Sequence, residues 1–143
     1  MQQDASAPLE VIPVHREKAR RDFLRLPWSL YRHDPAWVPP LLLERRQHLS
    51  KSNPYFLHAD FRAWIARRGR ETVGRISAQV DRLHLQRYDD GTGFFGLFEA
   101  QDDPAVFHGL FEAAQGWLRR QGMRRILGPF NLSINEECGL LVE

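Results

Sequence analysis

Apolar residues fall in short blocks whose spacing changes along the chain. Leu9-Glu10-Val11-Ile12-Pro13-Val14 is a brief apolar run, and Pro13, which cannot donate to a ladder, predicts an edge strand. Ala19, Phe23, Leu26 and Leu30 follow at intervals of four, three and four, the buried face of a helix that opens near His15. Pro27 falls inside this pattern. It lacks an N–H and its ring opposes the preceding turn, so a break or kink is expected there, with one further turn through Tyr31. Residues 31–40 are rich in proline and aromatic side chains and read as an extended connector, because residues before proline avoid the helical region. Pro39-Pro40 then opens a short helix over 41–49, and Ser50-Lys51-Ser52-Asn53-Pro54 reads as a loop.

In the middle of the chain the period drops to two. Phe61, Ala63 and Ile65 share one side of a strand over 61–67, and Arg68-Gly69-Arg70-Glu71 marks a turn. Over 73–83, Ile76, Ala78 and Val80 face one way while Arg75, Ser77, Gln79 and Asp81 face the other, the pattern of a half-buried strand. Asp89-Asp90-Gly91 marks a second tight turn. Residues 92–99 are apolar on both sides and are expected at the sheet centre. Asp103-Pro104 pairs an N-cap acid with proline at the first helical position. Val106, Leu110, Ala113, Ala114 and Trp117 form the buried stripe of that helix, Gly122 ends it, and a strand over 125–130 follows. Residues 1–8 read as a disordered polar tail and 9–143 as a single domain. The order is β-α-α-β-β-β-α-β. Two tight turns give three antiparallel strands and one helical crossover gives a parallel pair, hence an α/β (α+β) fold with a mixed, mostly antiparallel sheet.

Composition narrows the function classes without choosing one. Among 143 residues, 20 Lys and Arg oppose 18 Asp and Glu, a net charge of +2. That balance demands neither nucleic acid nor an anionic membrane as partner. The single cysteine, Cys138, excludes an internal disulfide and a multi-cysteine zinc site. The six histidines, among them His15, His33 and His48, show no close metal-ligand spacing, so no metal is expected. No apolar run is long enough for a bilayer span and residues 1–8 lack a signal-peptide pattern, which makes the cytoplasm the default expectation.

One stretch points to a family. Residues 110–126, Leu110-Phe111-Glu112-Ala113-Ala114-Gln115-Gly116-Trp117-Leu118-Arg119-Arg120-Gln121-Gly122-Met123-Arg124-Arg125-Ile126, resemble the third helix and following strand of the GNAT (GCN5-related N-acetyltransferase) superfamily. Val73-Gly74-Arg75-Ile76 resembles the opening of its third strand. Residues 28–40, with Asp34-Pro35-Ala36-Trp37-Val38-Pro39-Pro40, together with 93–99 and Gly128-Pro129-Phe130-Asn131, resemble a divergent GNAT-like subfamily of longer proteins. The resemblance covers most of residues 9–143. It implies a three-layer fold lacking the last helix and strands, since the sequence stops at Glu143, before the segment that often carries a general-acid tyrosine. The expectation is therefore the N-terminal part of a longer domain, with a genuinely short domain as the alternative; the apolar Leu140-Leu141-Val142 suggests a missing partner surface, and a homo-oligomer or a missing C-terminal segment is the partner expectation.

The resemblance also implies acetyl-CoA or acyl-CoA as cofactor and transfer of the acyl group to a small-molecule or protein amine. The pantetheine arm would lie along residues 92–99, with backbone groups of Gly96, Leu97 and Phe98 contacting it. The family's diphosphate motif, Arg or Gln, two residues, Gly, one residue, Gly or Ala, supplies bare N–H groups at a helix N-terminus. Here Asp102 matches its basic position, Ala105 the first Gly and Phe107 the last small residue, with Asp103 as N-cap. Negative charge and a ring thus stand where the motif is bare. This departure supports the alternative, a non-catalytic GNAT-like interaction or structural module that uses no CoA.

Several side chains carry two readings. Glu99, at the end of its strand, is a candidate general base or a solvated strand-end acid. Cys138 is a candidate nucleophile or a buried inert thiol, and Ser133 lacks a nucleophile-elbow context. Asn131 and Asn135 are substrate contacts or turn formers. The Trp28 to Trp37 connector is a substrate or partner groove, or a loop pinned to the core. Arg16, Lys18, Arg20, Arg21 and Arg25 are a surface for an acidic partner or RNA, or a solvated helix face.

Overall fold

A computed structural model describes residues 6–140. Expectations for residues 1–5 of the tail and for Leu141 and Val142 lie outside the described residues. The chain runs β1 (Leu9–Pro13), α1 (Glu17–Leu30), α2 (Leu42–His48), a 3-10 turn (Pro54–Leu57), β2 (Ala59–Arg68), β3 (Glu71–Asp81), α3 (Arg82–Tyr88), β4 (Thr92–Ala100), α4 (Pro104–Arg120), β5 (Arg125–Leu127), β6 (Phe130–Asn131) and β7 (Glu137–Cys138). The main sheet has the order β1-β2-β3-β4-β5. Its first four strands are antiparallel and β5 runs parallel to β4.

Helices cover both faces of this sheet. On one face Trp64, Ile76, Ala78 and Val80 pack against the α4 stripe of Val106, Leu110, Ala114 and Trp117. On the other, Ala63, Ile65 and Leu97 pack against Ala19, Phe23 and Leu24 of α1. Asp103 caps α4 as expected, its carboxylate accepting from the Ala105 N–H at 2.9 Å.

Four expectations are corrected. First, β3 and not residues 92–99 is the centre of the sheet, because the outer neighbour of β4 is only three residues long. The polar face of β3 is not solvated: Ser77 and Gln79 are fully buried and Arg75 is 8% exposed. The 130–132 segment reaches over this face, and the Gln79 amide donates to the carbonyls of Phe130 at 2.9 Å and Leu132 at 3.3 Å. Second, β3 and β4 are joined by α3 and not by a tight turn; Asp81 caps this helix by accepting from the Leu83 N–H at 3.0 Å. Third, the strand expected over 125–130 is split by Gly128-Pro129 into β5 and β6, and β6 pairs with β7, which the sequence pattern did not predict.

Fourth, α1 continues through Pro27 without a break. A proline inside a helix leaves the carbonyl four residues earlier without its N–H, at a cost of about 3 kcal/mol or more. Here that carbonyl belongs to Phe23, and the Arg75 Nη1 donates to it at 2.9 Å. Burial of Leu24, Leu26 and Pro27 holds the turn against the rest of the molecule.

Candidate functional site

The site is built around an irregularity in β4. Register between β3 and β4 slips between Arg75 and Ser77, so β4 carries a bulge. Leu97 adopts a left-handed φ of 49°, unusual for a residue with a branched side chain. Its carbonyl accepts from the Arg75 Nε at 3.0 Å, and its N–H donates to the Asn131 Oδ1 at 2.8 Å. Arg75 thus ties the proline turn of α1 to the bulge of β4, and its guanidinium lies 5.0 Å from the Phe23 ring centroid.

Glu99 follows the bulge, half-buried. It accepts a hydrogen bond from the Tyr31 hydroxyl. Burial, and then the bond to Glu99, raises the Tyr31 hydroxyl to about 12, so at neutral pH it keeps its proton and can donate to Glu99. Burial lowers the Arg75 guanidinium to about 10 against the opposing pull of Glu99, and it stays charged at neutral pH. Glu99, Arg75, Asn131 and Glu137 share a pocket of about 200 Å³ with apolar walls from Trp28, Trp37 and Val38. Trp37 packs edge-on against Trp28 at 5.7 Å and tilts over Tyr31 at 5.6 Å. The 28–37 connector is therefore both pinned to α1 and the wall of a groove. Opposite, Arg45 donates to Glu137 at 2.7 Å and holds its carboxyl below the usual range, and Asn131 Nδ2 adds a bond at 2.8 Å.

The other matched positions fall in three settings. Asp102, Asp103 and Ala105 gather at the head of α4. Here Asp103 Oδ2 accepts from Arg68 at 2.7 Å, a bond that holds its carboxyl below the usual range. Beside them lies a cavity of about 800 Å³ reaching Arg68, Arg70 and Tyr31. Phe98 and Phe107 turn into an aromatic cluster with Phe111, their own rings 6.0 Å apart. Gly96 is pressed against β6: a Cβ there would lie 1.7 Å from the Phe130 carbonyl oxygen.

These contacts test the fit of an acyl-CoA in the manner the resemblance implies. The helix N–H of Ala105 is taken by Asp103, the strand N–H of Leu97 is taken by Asn131, and β6 covers Gly96. Of the backbone donors the resemblance would offer to diphosphate and pantetheine, the N–H groups of Ala105 and Leu97 are satisfied from within the chain. At Ala105, Leu97 and Gly96 the residues do not fit CoA in this arrangement.

Cys138, expected to be buried, is exposed, because β7 lies on the surface. Ser133 and Asn135 belong to one local turn, the Ser133 Oγ accepting from the Asn135 N–H at 3.2 Å. Among the described residues no group of three or more His, Cys, Asp or Glu is placed to hold a metal, and no helix is long and apolar enough to cross a membrane. Sequence reasoning missed Tyr31 and Arg75 as site residues. The available signal was a lone arginine on the alternating polar side of a strand, in a chain whose first helix carries an internal proline.

No protein-family model matches the chain. It is 52% identical over 121 residues to "Protein YghO" of Escherichia coli (strain K12), covering 85% of this chain and 31% of that protein. It is 50% identical over 139 residues to "Bacterial ceramide synthase" of Caulobacter vibrioides, covering 96% of this chain and 36% of that protein. The chain thus spans about a third of the length of these curated relatives. Among solved structures, a tandem GNAT protein from the clavulanic acid biosynthesis pathway matches 80% of this chain and 34% of its own, with TM-score 0.61 and 16% identity. An aminoglycoside acetyltransferase from an uncultured soil metagenomic sample, in complex with sisomicin, matches 83% of this chain and 75% of its own, with TM-score 0.55 and 12% identity. With a helix on each face of a mostly antiparallel sheet, a bulged β4 and a parallel β5, the chain has the fold of the GNAT acetyltransferases.

Proposed function

We propose that this chain is an acyltransferase-like GNAT domain of a longer N-acyltransferase, and that its pocket at Glu99 receives the amine of a long-chain substrate. One observation carries the reading. The Glu99 carboxylate, oriented by the Tyr31 hydroxyl, sits in a pocket lined on one side by the rings of Trp28 and Trp37 and on the other by Arg75, Asn131 and the Arg45-paired Glu137. An acid beside half-buried rings suits an amine that carries an alkyl chain: the nitrogen meets the carboxylate in the polar pocket and the chain leaves it along the rings of Trp28 and Trp37. The relative named as a ceramide synthase supports it, since a ceramide is the N-acyl derivative of a long-chain amino alcohol. Glu99 accepts the amine proton as the nitrogen becomes nucleophilic. Tyr31, kept protonated, occupies one oxygen of that carboxylate and leaves the other for the amine. No step is assigned to CoA on this chain, because Asp103 and Asn131 already use the N–H groups of Ala105 and Leu97. The acyl donor is then brought by the rest of the longer protein.

Those occupied donors also favour a second reading, an interaction module that neither binds CoA nor takes part in transfer. Titration with a long-chain 2-amino-1,3-diol, followed by tryptophan fluorescence, separates the two. Binding weakened at least tenfold by Glu99→Gln, with the Trp37→Phe chain showing a smaller fluorescence change, supports the amine pocket. Equal affinity of the folded Glu99→Gln chain refutes it. Calorimetric titration of acetyl-CoA and a long-chain acyl-CoA is expected to show no micromolar binding, and such binding would overturn the division of labour.

A further inference from the structure

We propose that a groove between α1, β2 and the 3-10 turn is a binding site for a free single-chain anionic amphiphile, separate from the pocket at Glu99. The groove encloses about 580 Å³, inside the range of roughly 300–1,000 Å³ typical of small-ligand sites. Its floor is apolar. Phe23 and Ala63 form the base, and the rings of Phe56 and Phe61 meet edge-to-face at 5.6 Å, only half-buried. Its rim is cationic: Arg16, the N-cap of α1, Arg20 in the first turn of that helix, Lys51 from the loop and Arg62 from β2.

The charges at this rim do not cancel one another. Two acids share it, Glu17 and Asp60, and Asp60 is already paired with Arg82 at 2.9 Å. Among the described residues no carboxylate pairs with Arg16, Arg20, Lys51 or Arg62. Arg20 donates only to the Leu49 carbonyl at 3.4 Å, and Arg62 contacts the His15 ring at 3.3 Å. The run of five basic residues on α1 therefore splits: Arg16 and Arg20 face the groove, while Lys18, Arg21 and Arg25 do not line it.

Neither plain explanation covers both halves of this arrangement. A solvated helix face accounts for cations but not for rings left open beside them. A core cluster accounts for rings but not for several unpaired cations at its mouth. An alkyl chain with an anionic head, carboxylate or phosphate, satisfies both: the chain removes the open ring surface from water and the head meets the arginines.

The test is calorimetric titration of dodecanoate, below its micellar concentration, into the full chain. Hexanoate, inorganic phosphate and dodecyltrimethylammonium serve as probes of chain length, charge alone and opposite charge. Dodecanoate is expected to bind at least tenfold more tightly than each of the three. Arg16→Glu with Lys51→Glu, both at exposed positions where folding tolerates the change, should weaken dodecanoate at least tenfold. Intermolecular nuclear Overhauser effects should connect the alkyl chain to the Phe56 and Phe61 rings. Three outcomes overturn the proposal: equal binding of dodecanoate and dodecyltrimethylammonium, unchanged affinity in the charge-reversed chain, or contacts at Trp28 and Trp37 instead. Adsorption to anionic vesicles with no response to monomeric dodecanoate would assign the cations to a membrane surface and overturn it equally.

Discussion

Replacing Arg75 by methionine tests the link between the proline turn and the bulge. The side chain is 8% exposed and donates to two carbonyls, Phe23 at 2.9 Å and Leu97 at 3.0 Å. A buried carbonyl left without a donor costs about 1–3 kcal/mol, so two cost roughly 2–6 kcal/mol. Relief from burying a cation offsets part of this, leaving an expected loss of about 2–4 kcal/mol. The cause can be isolated with Pro27→Ala, which restores an N–H at residue 27 and gives Phe23 its ordinary helical partner. In the double variant only Leu97 remains unsatisfied. The Arg75→Met loss should therefore shrink by about 1–3 kcal/mol in the Pro27→Ala background. Urea unfolding of the four chains measures this, read as shifts in midpoint at constant m-value. Additivity of the two substitutions within about 0.5 kcal/mol would show that Arg75 does not stand in for the missing proline donor.

Two further outcomes follow from local geometry. Gly96→Ala places a Cβ 1.7 Å from the Phe130 carbonyl oxygen, so β4 and β6 must separate; a loss of at least about 2 kcal/mol is expected in thermal unfolding, and a neutral result would refute the close approach. At Asp90, burial pushes the carboxyl up, but hydrogen bonds from Thr92 and His84 outweigh it and hold it at about 2. The folded value lies below the unfolded one, so the stabilisation is full above pH 3.8 and disappears as pH falls toward 2. Asp90→Asn should flatten the acid limb of the stability curve in that window, and an unchanged limb would place the titration elsewhere.

What the sequence determined by itself is the set of features whose causes are neighbours along the chain. The Asp103-Pro104 start of α4, its apolar stripe and the strand over 92–99 were legible because caps and periodicities act within a few residues. The same reasoning found Glu99 as a strand-end acid, but not what surrounds it. Alternation along β3 showed one polar face and could not show that α1 and the 130–132 segment cover it; a pattern reports the polarity of a face, not whether distant polar groups satisfy it there. The bonds that build the site join residues far apart: Arg75 to Phe23 across 52 positions, Leu97 to Asn131 across 34, Tyr31 to Glu99 across 68. Pro27 reads locally as a helix break and is retained because Arg75 supplies the missing donor from another strand. Which backbone donors stay open to a ligand was likewise decided only when Asn131 reached the bulge, since hydrogen-bond satisfaction in a buried site is settled by tertiary contact.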